Sequence, residues 1–138
     1  MTGGWAPDVL GAPFEQRTLP LADDDEGAVV ATLVRCLPPR SLRAFLIGGP
    51  RPFTDVDVLY VHGWSDYFFL RPGQTPGYIG DLADYDADIA AAMVAMGRNA
   101  DGTGARRLVL VGHSTGGLPL SLWAARHPDA ATAVVLNS

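Results

Sequence analysis

The 138-residue chain is 48% hydrophobic and 18% charged, a folded composition with room for one domain and its core. Its net charge of −5, with nothing basic clustered beyond Arg106-Arg107, argues against a nucleic-acid partner, and no apolar run reaches membrane-span length. The lone Cys36 excludes an internal disulfide, and residues 1–10 carry neither a basic group nor a long apolar core, so a cytoplasmic setting without a secretory signal is expected.

Residues 1–13 are rich in Gly and Pro and read as a flexible leader. Residues 14–21 alternate weakly and are expected to form an edge strand, and 28–37, rich in Val, Leu and Thr, a second strand. The acids between them (22–27, Ala-Asp-Asp-Asp-Glu-Gly) fit either a metal site or a solvated hairpin turn. With no partner acids at ligand spacing, the turn is the reading adopted. Pro38-Pro39-Arg40 ends the second strand, because proline cannot donate to a ladder. Residues 41–53 hold Leu42, Phe45, Leu46 and Ile47, but Gly48-Gly49-Pro50 breaks any long element there.

A strand is predicted over 54–61 (Thr-Asp-Val-Asp-Val-Leu-Tyr-Val), running directly into His62-Gly63-Trp64. Residues 65–80, with Arg71-Pro72-Gly73 and Pro76-Gly77, read as loop. A helix is predicted over 81–98, with Asp81 as its cap and Arg98 closing it in keeping with the helix dipole. Its apolar positions Leu82, Tyr85, Ile89, Ala92, Met93 and Met96 fall at helical spacing, the methionines as core filler. After a Gly-rich turn, residues 108–111 (Leu-Val-Leu-Val) read as a strand buried on both faces. A helix over 118–127 and a last buried strand over 132–136 follow. Strand–helix–strand–helix–strand makes two successive crossovers and predicts an α/β fold. Its sheet is mostly parallel, with an antiparallel hairpin at the N-terminus.

Between the strand at 108–111 and the next helix lies Gly112-His113-Ser114-Thr115-Gly116-Gly117. A Gly-x-Ser-x-Gly turn in this context is a nucleophile elbow, and its glycines answer the close approach of strand and helix. Ser114 is the candidate nucleophile. The backbone N–H of Thr115, at the helix start, is one candidate oxyanion donor, and that of Trp64, after the preceding strand, is the second. His62, Gly63, Gly112, His113, Gly116 and Gly117 are read as support for the elbow and the oxyanion loop. A plain phosphate-binding turn is the rival, but no Lys follows the glycines as that pattern requires.

These residues resemble the α/β-hydrolase superfamily. Within it, residues 60–69 (Tyr-Val-His-Gly-Trp-Ser-Asp-Tyr-Phe-Phe), the elbow, residues 70–76 and the helix from Asp81 are similar to bacterial hydrolases of the serine-aminopeptidase or lysophospholipase-like group. The resemblance spans 14–138. It implies a serine esterase, lipase or peptidase acting on a small ester or amide substrate, without a metal or organic cofactor.

Two departures qualify that resemblance. Family members insert a helix and a strand, on the order of 25 residues, between the His-Gly strand and the Arg-Pro-Gly loop. Here Phe69 runs straight into Leu70-Arg71-Pro72, so residues 14–138 are expected to form an incomplete hydrolase domain with exposed strand edges. In this fold the acid and His follow the nucleophile, yet the chain ends at Ser138. His113 and His62 belong to the turn and the oxyanion loop, and His127 lies a helix away, roughly 20 Å at about 1.5 Å per residue. The chain alone is therefore expected to be inactive. The alternatives are a non-catalytic remnant that binds a small ligand or protein partner, and a truncated gene product.

Overall fold

The computed structural model describes residues 4–23, 27–37, 55–63 and 81–138. These fall into two compact units, Met1–Thr54 and Asp55–Ser138. The acids at 24–26, Pro38-Pro39-Arg40, the stretch 41–53, Trp64 and the loop expected over 65–80 lie outside the described residues.

The first unit is a three-stranded antiparallel sheet of β1 (Ala6–Pro7), β2 (Phe14–Pro20) and β3 (Val30–Cys36), in that order. The expected hairpin is present: β2 and β3 pair from Phe14↔Cys36 to Pro20↔Val30. β2 is nevertheless not an edge strand. Ala6 and Pro7, within the stretch read as a leader, pair with Gln16 and Glu15 and give β2 a second neighbour. Proline is tolerated there because β1 is the edge and Pro7 needs no outward donor. Trp5 lies against the Arg35 guanidinium at 4.0 Å, and Arg35 pairs with Glu15 at 2.5 Å, so the leader is fastened to the sheet by a cation–π contact.

The second unit is a parallel sheet, β4 (Val56–Val61), β5 (Arg107–His113) and β6 (Ala133–Asn137), with β5 central. Its crossovers carry α1 (Tyr85–Ala95) and α2 (Gly117–Arg126). The fold is thus α/β, with an antiparallel sheet and a parallel sheet as expected for part of a hydrolase fold. The core is one-sided. It consists of Leu59, Leu108 and Leu110 of the sheet, Ile89, Ala92 and Met93 of α1, and Leu120 and Trp123 of α2, all buried. Burying each such large side chain contributes about 1.5–3 kcal/mol.

Four expectations are corrected in this unit. β5 buries alternate residues (Leu108, Leu110, Gly112) while Val109 and Val111 are only half-buried, as expected where the described helices cover one face. β6 is exposed along its whole length, with one neighbour in the sheet among the described residues. The helix over 81–98 is shorter than its sequence pattern. Asp81 Oδ1 accepts from Ala83 N at 2.9 Å, but what it caps is a 3-10 turn, Leu82–Asp84, before α1. At the far end Gly97, at φ +80, closes a Schellman motif: its N–H donates to Val94 O and that of Arg98 to Met93 O.

Arg98 therefore does not serve the helix dipole. Its side chain turns inward, with Nη1 at 2.8 Å from Asp57 Oδ2 and 3.0 Å from Arg106 O, and Nε at 2.8 Å from Gly102 O. Arg106 reaches the same carboxylate at 2.5 Å. Asp57 sits on the face of β4 that also buries Leu59, and a charge in that position requires such partners.

Candidate active site

The sequence leading to Ser114 is strand and the sequence after it is helix, and the junction has almost no length. His113 is extended, at φ −110 and ψ 132; Ser114–Gly116 form a 3-10 turn, and α2 starts at Gly117. Ser114 itself has φ +51 and is the one non-glycine residue with positive φ among the described residues. A serine held there costs on the order of 1–3 kcal/mol, which the surrounding packing must sustain. Its side chain is exposed at the C-terminal end of the parallel sheet, where ligands of open α/β sheets bind.

The glycines account for how the junction fits. A Cβ built on Gly112 would stand 2.6 Å from Gly117 Cα and 2.9 Å from Gly117 N. One on Gly116 would overlap the carbonyl oxygens of Val61 and His62. One on Gly63 would stand 2.7 Å from Ser114 Cβ and 3.2 Å from Ser114 Oγ. Gly63 and the end of β4 therefore lie directly against the elbow, which is the juxtaposition expected of the His-Gly loop. Gly117 differs from the rest: among the described residues a Cβ there meets only Leu136 Cδ2, at an ordinary 3.4 Å. Its backbone is helical, and it is not required to be glycine. Pro119 is accepted in the first turn of α2, where its missing N–H has no intrahelical partner to lose.

The chain's three histidines each have a hydrogen-bond partner other than Ser114. His62 Nδ1–H donates to Gly63 O at 2.8 Å. His127 caps the far end of α2, with Nδ1–H on Trp123 O at 2.9 Å and its ring stacked on Trp123 at 4.3 Å. His113 Nδ1 lies 3.2 Å from Asn137 Nδ2, at the end of β6. Thr115 is exposed beside Ser114, and Trp64, the other expected oxyanion donor, lies outside the described residues. Asn137 was not singled out from the sequence. A signal for it was available: it ends the last strand at the same level as His113.

A cleft of about 270 Å³, lined in part by Arg106, Arg107, Asp129 and Thr132, lies at the opposite, N-terminal end of β5. It is remote from the elbow, and its guanidinium groups are committed, Arg106 to Asp57 and Arg107 to Asp55 at 2.5 Å. Among the described residues no three His, Cys, Asp or Glu groups cluster as metal ligands, and no helix is long and apolar enough to cross a membrane.

A family model for the alpha/beta hydrolase fold matches residues 5–138. The chain belongs to this family. No curated protein and no solved structure gives a match. In this member of the family, then, a Gly-x-Ser-x-Gly turn with a left-handed serine joins the central strand of the parallel sheet to α2.

Proposed function

We propose that this chain carries the nucleophile half of a serine hydrolase site, with Ser114 as nucleophile acting on a small ester or amide substrate. The observation that carries the reading is Ser114 itself: an exposed serine at φ +51, at the C-terminal end of β5, with Gly63 packed against it. Attack of Oγ on the substrate carbonyl forms the Oγ–acyl bond. The bond from the carbonyl to the alcohol or amine breaks, that leaving group takes up the Oγ proton, and water then cleaves the acyl-enzyme to the acid and restores Ser114. Thr115 N–H and Trp64 N–H are the proposed oxyanion donors, with His62, Gly63, Gly112, His113, Gly116 and Gly117 supporting them. The likeness of residues 60–76 to serine-aminopeptidase and lysophospholipase-like hydrolases supports a substrate of that class, and the unpaired Cys36 supports a cytoplasmic setting.

The proposal extends to rate. His62 is assigned to the oxyanion loop, His127 caps the far end of α2, and His113 Nδ1 faces Asn137, so Ser114 is proposed to work here without a histidine base of this chain. These 138 residues alone should react only at the residual level left by an oxyanion site, about 10³–10⁴-fold over water. The test is a fluorophosphonate probe with peptide mapping by mass spectrometry. Slow labelling confined to Ser114 and lost in Ser114→Ala is expected. Labelling as fast as that of intact serine hydrolases would overturn the rate claim, and labelling elsewhere would overturn the assignment.

A further inference from the structure

His113 is the last extended residue before the left-handed Ser114, so whatever fixes His113 also fixes the direction from which the chain enters the elbow. Its carbonyl oxygen is part of the surface that packs on Gly63. Its side chain makes no capping bond to the turn that follows, although it occupies the capping position. A partner of the ring lies across the sheet instead. His113 and Asn137 are the final register pair of the β5–β6 ladder, with side chains on the same face, and Asn137 Nδ2 stands 3.2 Å from His113 Nδ1.

We propose that Asn137 is a positioning residue that holds His113, next to Ser114, as the Nε2–H tautomer. An amide nitrogen only donates, so the Nδ1 that faces it must present a lone pair, and the ring proton resides on Nε2. Two consequences follow. The lone pair of His113 is engaged by Asn137, so this histidine, although adjacent in sequence, does not take the Ser114 proton. The bond also ties the end of β6 to the residue that sets the elbow's approach. The functional part of this assignment rests on the reading of Ser114 as nucleophile; the tautomer does not.

The experiment is a long-range ¹H–¹⁵N imidazole spectrum of the full chain at neutral pH, which distinguishes Nδ1 from Nε2 protonation, recorded beside fluorophosphonate labelling. The wild-type chain should show His113 as Nε2–H. Asn137→Ala should give a tautomer mixture and slow Ser114 labelling about two- to tenfold, the range set by the net worth of one hydrogen bond. Asn137→Asp, which offers only acceptors, should reverse the tautomer to Nδ1–H, an effect that a purely structural role would not produce. A wild-type His113 protonated at Nδ1, or a spectrum unmoved by both substitutions, overturns the proposal. If the wild-type chain takes no label at Ser114, the nucleophile reading falls while the spectrum still decides the role of Asn137.

Discussion

Gly112→Ala and Gly117→Ala each add one methyl group within the same turn, and only the first should lower stability. Gly112 is in the central strand, paired with Val61 on one side and Leu136 on the other, so its backbone has no freedom to retreat. Its new Cβ would lie 2.6 Å from Gly117 Cα, where carbon atoms prefer about 3.5–4.0 Å. The start of α2 must therefore move out by about 1 Å. That shift disturbs Leu120 and Trp123, which are 0% and 1% exposed. Overpacking of this kind costs about 1–3 kcal/mol, and the gain from replacing a strand glycine, about 0.5–1 kcal/mol, only partly offsets it. A net loss of about 1–2 kcal/mol follows. Gly117 has helical backbone and only Leu136 Cδ2 at 3.4 Å, so Gly117→Ala should be neutral or stabilise by about 0.4–1 kcal/mol. Urea denaturation with unchanged slope measures both. Gly97→Ala is the control for backbone strain alone: φ is +80 and no described residue lies within 4 Å of the added Cβ, so it should cost about 1 kcal/mol. Equal effects at 112 and 117, or a larger loss at 117, would refute the reading of which glycine the junction needs.

Three further outcomes are expected. Ser114→Gly should be more stable than Ser114→Ala by about 1 kcal/mol, since only glycine relieves the positive φ, while both abolish labelling; equal melting temperatures would show that the turn is unstrained. Asp57→Asn should cost about 3–5 kcal/mol, because Arg98, with 3% of its side chain exposed, is left as a buried charge without its counter-ion. Arg106→Ala, whose guanidinium is half exposed, should cost no more than about 1 kcal/mol by the same denaturation measurement. The last concerns pH. Burial raises the pKa of Asp88 above its ordinary 3.8, against a smaller opposing backbone hydrogen bond, so the folded state holds that proton more tightly. Asp88 therefore removes stability as pH rises from 3.8 through its folded value, and Asp88→Asn should gain stability over wild type at neutral pH. Asp101 has the opposite sign. Hydrogen bonds from the Thr103 side chain and then its backbone lower its pKa, so its contribution is present above 3.8 and fades as pH falls through the folded value. Midpoints measured from acid to neutral pH in Asp88→Asn and Asp101→Asn separate the two.

What the sequence made legible follows the length scale of the physics. The elbow could be read because its constraints are local: a strand, two glycines around a serine, and a helix are consecutive in the chain. Partners distant in sequence could not be read. Residues 54–61 alternate Asp and Val, a pattern that by itself invites the apolar residues inward. The structure does the reverse at that end, burying Asp57 and exposing Val58, because Leu59 follows at the same parity as Asp57. Period-2 alternation fixes which residues share a face but not which face is covered. The choice was made by Arg98, 41 positions away, whose use as a helix-end cation seemed sufficient from sequence alone. The same limit explains β6. Val134, Val135 and Leu136 have the composition of a buried strand, yet they are exposed, since a strand's burial depends on its neighbours in the sheet and not on its own residues. Asn137 shows how such information could be recovered. Once two crossovers fix β5 and β6 as parallel neighbours, the strand ends align, and a polar residue closing β6 must stand beside the residue that precedes the nucleophile.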